Sequence, residues 1–545
     1  MRRIRGKSYL RRRALPLAAL AALGVAATPA TAPAAPASAA SACPATTDAG
    51  EFAPKRQLRR WNKAMHEFGP RPTGSRSHHR FVDWLERRFD SIPEVETETL
   101  TRRFKRQTER SASLWVEIDG KDQRIPIASP VPYGRRTGKD GAAAPLVHVP
   151  RDAQITTANA AGRVVVREYA AGELPASAFR FVSWFEYDPR STIDWSATYK
   201  RDWLTSQPED DMVDASRAGA VGVLFVHELP RDEIRGHYRP YHGIHYPASG
   251  LHLGVDEGQR IVRAVDSGTA GRARITYRAR IKRRASTRMV LARLTGPGER
   301  RIAVHTHSDG VNALWDNGHV PMLAFARYFA SLPRECRPGP IEFSFGPSHL
   351  YLRPTDSKAN TDTYAERLDA AYDRGEVALV LALEHLGGRE WVEGPRGGGR
   401  PGLTLRRTGY PETSSTFVTE SDFLVDTMAD VIRRRDVERS LLLQGTTLAD
   451  ESHVPPWCSF GGEGTPFMQR LLPTVAYIAS PWPLFTPDYG MTELIDFKRL
   501  REESLMFNDF LLRLRDASQE AVAGKAAQYR EQRAAGKPTC FDVAE

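Results

Sequence analysis

The chain has 545 residues, of which 41% are hydrophobic and 26% charged, with four cysteines and a formal net charge of +11. That balance is globular and excludes a collagen-like, cysteine-scaffold or wholly disordered chain. At roughly 100–200 residues per domain the length fits two to four domains, each with its own core, which favours an enzyme or a large binding ectodomain.

Much of the positive charge sits at the start. Arg2, Arg3, Arg5, Lys7, Arg11, Arg12 and Arg13 precede the apolar run 14–27, and Ala40, Ser41 and Ala42 offer a cleavage site. Residues 1–42 therefore read as an export signal. At about 1.5 Å per residue, the apolar run is too short to span a bilayer, and no later segment is long enough. The paired arginines fit a general secretory or a twin-arginine route. A lipid anchor at Cys43 is the rival, and the long Ala/Pro spacer before it argues against that anchor. Without residues 1–42 the chain loses seven basic and no acidic side chains, leaving 70 against 66, a net charge of +4. Nucleic acid is not an implied partner, and the expected location is extracellular. Oxidising conditions there would pair Cys43, Cys336, Cys458 and Cys540 into two disulfides. Three connectivities exist; the expected one joins Cys336 to Cys458 and Cys43 to Cys540. No Cys-x-x-Cys spacing supports a thiolate metal site.

Two amphipathic helices follow. Leu58, Trp61, Met65 and Phe68 share one face of the first, and Phe81, Trp84, Leu85 and Phe89 one face of the second. The segment 69–75, Gly-Pro-Arg-Pro-Thr-Gly-Ser, is a turn with Ser75 or Ser77 as helix cap. Runs 114–118 and 124–127 around Asp119-Gly120 carry a hairpin signal. From about 140 to 285 the texture becomes short β-rich runs, such as 162–166 and 218–226, which reads as an inserted domain. At its end Arg272, Arg274, Arg278, Arg280 and Lys282 alternate with apolar residues, as on a strand with one buried and one solvated face. Trp184, Trp195 and Trp203 read as core of this insert, and His237, His242 and His245 as a solvated loop.

After 285 the order is strand, turn, strand, helix, strand: 289–294, Gly296-Pro297-Gly298, 302–306, 320–330, 341–345 and 377–383. This predicts an α/β domain with a mixed sheet and helices on both faces. The unbroken apolar run 377–383 fits a strand buried on both sides. A final helix presents Leu500, Phe507, Leu511 and Leu514, and residues beyond about 518 read as a loose tail. The expected division is 1–42 signal, 43–139 and 286–518 the two parts of the α/β domain, 140–285 the insert, and 519–545 the tail.

In open α/β sheets the ligand site lies at the carboxyl ends of the strands. There stand His307 and Asp309 after 302–306, Ser348 and His349 after 341–345, and Glu384 with His385 after 377–383, with Asp316 in the loop before the helix. Imidazoles and carboxylates are ligands suited to zinc. His305 shares the strand face of His307 and reads as strand interior.

The ordered motifs His307-Ser308-Asp309, Asp316-Asn317-Gly318, Phe343-Ser344-Phe345-Gly346, Leu383-Glu384-His385-Leu386-Gly387 and Thr486-Pro487-Asp488 resemble those of exported zinc aminopeptidases and glutamate carboxypeptidases, the transferrin-receptor-like superfamily. The turn 70–75 and the strand 289–294 are similar as well. The insert, through 218–226 and 246–250, is similar to their protease-associated domain. The resemblance covers most of residues 55–515 and implies a zinc exopeptidase-like domain acting on peptides or other small amide-containing substrates.

The resemblance further implies that His307, Asp316 and Glu384 ligate one zinc, with Asp316 as the bridging carboxylate. Asp309 matches the carboxylate that orients the ligand histidine, and Glu463 an acidic position on the substrate side that is a second candidate for the general base. The second metal site departs from the pattern. Ser348-His349 stands where the family has paired glutamates, and Phe485 where it has its last histidine. His349 is the expected substitute, as metal ligand or as general base in place of the missing glutamate. One zinc is expected rather than two, with a zinc-bound water attacking the scissile carbonyl. The alternative is an inactive peptidase-fold protein that serves binding or surface interaction, for which the transferrin receptor ectodomain is a precedent in the superfamily.

Overall fold

The computed structural model describes residues 43–241, 244–347, 349–351, 361–445 and 462–536. Residues from Pro44 onward form one compact unit. The export signal expected at 1–42, His242, Ser348, Cys458 and Cys540 lie outside the described residues.

Helices α1 (Lys55–His66) and α2 (Arg76–Asp90) form where the apolar spacing places them, and the residues of their apolar faces are buried apart from the partly buried Phe68. Ser75 caps α2 by accepting from His78 N. Strand β1 (Val95–Ile118) is far longer than the hairpin arm expected, and turns into β2 (Lys121–Ile125). Its first part, with Arg102, Arg103, Lys105 and Arg106, has no strand-like hydrophobic pattern. It is held instead by antiparallel pairing along almost the whole of a second long strand, Ala270–Leu294.

That second strand joins the two wings of the sheet. Its first half pairs with Ala142–His148, beyond which Val164–Tyr169, Gly222–His227 and Ser249–Leu253 follow in parallel. Its second half pairs with Ile341–Gly346, beyond which come Arg301–His307, Val377–Leu383, Thr474–Ala479, Ser414–Val418 and Ser440–Gln444. The basic residues Arg272, Arg278, Arg280 and Lys282 are exposed, while Ala273, Ile275 and Tyr277 are buried, as the alternation requires.

Helices cover both faces of the second wing. Ile302, Val304, Leu379 and Leu381 pack with α1, α2, the helix His319–Ser331 and the helix Phe497–Arg513. Ala303 and Val380 point the other way, onto the helix Thr361–Asp373. The even positions of 377–383 and the odd positions of 301–307 thus share one face, and strands 301–307, 341–346, 377–383 and 474–479 are mutually parallel. Their carboxyl ends open on one edge.

Three expectations are corrected. The disulfide joins Cys43 to Cys336, not Cys43 to Cys540 or Cys336 to Cys458. The reason is local: Phe52 packs on Phe325 and Tyr328, and the chain beyond these two leads into the turn Arg334–Cys336. The loose tail does not begin at 519, because Gln519–Ala523 and Lys525–Ala534 are helices, with Tyr529 buried and Arg530 paired to Asp369 and Asp373. Trp184 and Trp203 are not core residues but are 37% and 42% exposed. No helix among the described residues is long and apolar enough to cross a membrane.

Candidate metal centre

The parallel strands deliver side chains to their shared edge in a fixed order. His307 ends the strand 301–307, and Glu384 and His385 directly follow 377–383. His307 and Glu384 occupy positions on the same sheet face. His385, the next residue after Glu384, would point to the other face in continued strand geometry. Its backbone instead turns into the left-handed region, φ 58°, which costs a non-glycine residue about 1–2 kcal/mol. His385 Nδ1 donates to Ala479 O at 2.9 Å, holding the ring in the turned position.

His307 Nδ1 likewise donates to a backbone carbonyl, Asp309 O, at 2.8 Å. These bonds assign the ring proton to Nδ1 in both histidines and leave each Nε2 with a lone pair. Glu384 Oε1 accepts from Glu463 N at 2.9 Å. Glu384 Oε2 stands 3.5 Å from His307 Nε2 and 3.4 Å from His385 Nε2. All three atoms are buried without a hydrogen-bond partner, and all lie within 4.8 Å of one another. Buried polar atoms are nearly always partnered. Two imidazole nitrogens and one carboxylate oxygen left open to each other form a zinc-type ligand set.

Electrostatics tell the same story. Burial works to lower His307, but the carboxylates of Glu384 and Glu463 overcome it and raise its pKa to about 9. Burial lowers His385 to about 4. Burial would raise Glu384, and the neighbouring His385 and His307 more than offset it, holding the carboxylate below its ordinary range.

Asp316 is not part of this gathering. Its carboxylate forms a two-point pair with Arg71, both side chains fully buried. Asp309 does not orient His307 through its carboxylate either; its backbone carbonyl does so. The carboxylate accepts from the Thr73 hydroxyl, from His349 N at 3.1 Å and from Leu350 N at 3.0 Å, which fixes the turn after 341–346. His349 stacks on His307, ring centroids 4.2 Å apart, and its Nδ1 is 2.6 Å from Glu463 Oε1. Glu463 Oε2 accepts from His305 Nε2 and Thr361 Oγ1, both at 3.0 Å. His305 is strand interior, fully buried, and also a partner of Glu463. Burial would raise Glu463, yet the hydrogen bonds from His305 and His349 hold it well below the carboxylate range.

Phe485 packs against Trp315 and Tyr241, centroids 4.9 and 5.7 Å away. With Phe179, Tyr199 and Trp203 they line a cavity of about 640 Å³ that reaches His349, Glu384 and His385. His237 is buried rather than solvated, His245 is partly buried, and His385 is the site residue whose side-chain direction sequence periodicity hides.

No protein-family model and no curated protein sequence matches the chain. Solved structures do. The zinc aminopeptidase BSAP from Bacillus subtilis is similar over 86% of this chain and 96% of its own, with 14% identity and a TM-score of 0.55. A peptidase M28 precursor from Shewanella amazonensis SB2B matches over 85% and 97%, with 12% identity and a TM-score of 0.54. An aminopeptidase from Aneurinibacillus sp. strain AM-1 matches over 84% and 93%, with 14% identity and a TM-score of 0.51. The mixed α/β fold of this chain is therefore that of the M28 zinc aminopeptidases.

Proposed function

We propose that the chain is an exported, zinc-dependent hydrolase of peptide or related amide bonds, exopeptidase-like, working with one metal ion in this centre. The observation that carries the reading is the convergence of His307 Nε2, Glu384 Oε2 and His385 Nε2, three buried atoms without hydrogen-bond partners that lie within 4.8 Å of one another. The donor set fits zinc, and these three residues would hold it. A zinc ion bound there supplies Lewis acidity toward a carbonyl oxygen and toward water.

This chain's own residues supply the rest. Glu463 is a carboxylate at neutral pH and accepts from His349 Nδ1, so that ring keeps its Nε2 lone pair for a proton. His349 lines the cavity and is the proton acceptor in this reading, with Glu463 positioning it. A positioned base contributes roughly 10²- to 10⁴-fold in rate. The aromatic walls favour a substrate whose side chain beside the scissile bond is apolar, and they exclude water. Residues 1–42 act as the export signal, and the Cys43–Cys336 disulfide accords with an oxidising compartment. Segment 140–285 is read as a protease-associated-like insert that shapes access, since Phe179, Tyr199, Trp203 and Tyr241 within it reach the cavity.

The test is turnover of aminoacyl and peptidyl reporter substrates by the mature chain, with and without chelator. Chelator-sensitive hydrolysis that Glu384→Ala abolishes supports the reading. A second reading, a binding protein that holds the fold without turnover, is favoured by one observation: Arg71 already neutralises Asp316. Zinc retention without hydrolysis of any reporter supports that reading instead.

A further inference from the structure

A second cluster of buried histidines lies away from the centre just described. His227 ends the strand 222–227, His252 lies on the neighbouring strand 249–253, and His237 follows the turn Arg231–Glu233. All three are at most 2% exposed. Their ring centroids form a near-equilateral triangle with sides of 5.0, 5.0 and 4.9 Å. One ring nitrogen from each lies within 4.8 Å of the others.

The hydrogen bonds identify the nitrogens. His252 Nε2 donates to Arg239 O at 2.8 Å, which leaves the lone pair on His252 Nδ1, and that atom is 2.8 Å from His227 Nε2. His237 Nε2 is buried with no hydrogen-bond partner. It faces Asp202 Oδ2 at 3.6 Å, which is also buried and without one. Asp202 is held in place by the Tyr169 hydroxyl on its other oxygen. Zinc–nitrogen bonds of about 2.0–2.1 Å at tetrahedral angles set ligand atoms about 3.4 Å apart. The 2.8 Å contact of His227 Nε2 with His252 Nδ1 is a ring-to-ring hydrogen bond that a bound ion would replace, and all three ring nitrogens lie within 4.8 Å of one another. The nearest cation, Arg239, is paired to Glu209 through both carboxylate oxygens, and its Nη1 also stands 3.5 Å from Asp202 Oδ2.

We propose that His227, His237 and His252 form a second zinc site whose role is structural. Three buried imidazoles supply most of a tetrahedral sphere away from the cavity, and Asp202, beside His237, is the nearest carboxylate for the fourth position. The site ties two sheet strands to the 237–241 segment. That segment abuts the cavity: Tyr238 N donates to Phe485 O at 3.0 Å, and Tyr241 packs on Trp315 and Phe485. A bound ion would therefore fix one cavity wall. The inference does not depend on catalysis at the first centre.

The first centre is silenced with His307→Ala/His385→Ala in the mature chain, and cobalt(II) is added as a spectroscopic probe. About one cobalt per chain with the intense visible absorption of a four-coordinate ion is expected, together with a zinc-dependent rise in Tm. Adding His237→Gln should abolish both, the metal-free Tm serving as the check that this variant folds. If it does not fold, the cobalt spectrum of the parent double variant decides alone. No bound cobalt, a six-coordinate spectrum, or binding unchanged in a folded His237→Gln chain would overturn the proposal.

Discussion

Arg71 and Asp316 meet in a fully buried two-point ion pair, with Arg71 Nε donating to Oδ2 at 2.8 Å and Nη2 to Oδ1 at 2.5 Å. The arginine comes from the turn between the first two helices and the aspartate from the loop after the strand 301–307, so the pair locks the N-terminal hairpin onto the site. Arg71 Nη2 also donates to Asn312 O at 2.7 Å. Removing one partner leaves a charge buried and alone, so Arg71→Met should destabilise the fold by about 3–5 kcal/mol. Arg71→Met/Asp316→Leu should recover most of that loss. Urea unfolding of the single and double variants measures both.

Gly462 sits against the metal centre in a left-handed conformation, φ 53°. A Cβ built there would lie 1.7 Å from Glu384 Oε1. Alanine at this position must push the Glu384 carboxylate away or break its hydrogen bond from Glu463 N. Gly462→Ala should weaken zinc binding about 10- to 100-fold, the range for disturbed support of a metal ligand. Competition with a chelator of known affinity gives the value, and circular dichroism shows that the fold persists.

The His349–Glu463 contact separates positioning from metal binding. Glu463→Gln removes the charge that keeps the proton on His349 Nδ1 while preserving size, so kcat should fall about 10²-fold or more. KM and zinc content should remain near those of the parent. Steady-state kinetics with paired elemental analysis tests this, and a parallel loss of zinc would assign Glu463 to metal retention instead.

His148 bridges two carboxylates, Nδ1 to Asp266 at 2.9 Å and Nε2 to Glu168 at 2.8 Å. Burial opposes its protonation, but the two carboxylates outweigh it and raise the pKa above 6.5. A histidine raised in the folded state contributes stability that is fully present below its unfolded pKa and lost as pH rises through the folded one. His148→Gln should therefore be less stable than the parent at pH of about 5.5 and close to it at about 8.5. Denaturation at both values compares them.

The strand ends were legible because apolar runs such as 377–383 stop abruptly at charged residues, and parallel topology brings such ends to one edge. The direction of His385 was not legible. Strand periodicity puts neighbours on opposite faces, and only the left-handed turn at this one residue folds its imidazole back beside Glu384. Asp316 had the right residue type and position for a ligand, but its engagement by Arg71, far away in sequence, is a tertiary fact. Strand 95–118 was half hidden for another reason: its stability comes from pairing with 270–294, so its basic first half needs no hydrophobic alternation. The triad of His227, His237 and His252 is spread over separate strands and a loop, at spacings that match no local pattern.

The most direct test of the metal centre is an anomalous difference map from crystals of the zinc-loaded protein, collected at the zinc edge. A peak about 2.0–2.2 Å from His307 Nε2, Glu384 Oε2 and His385 Nε2 is the expected result. A map with no peak there, or a peak held by Asp316 with Arg71 swung away, would contradict the assignment of these three residues.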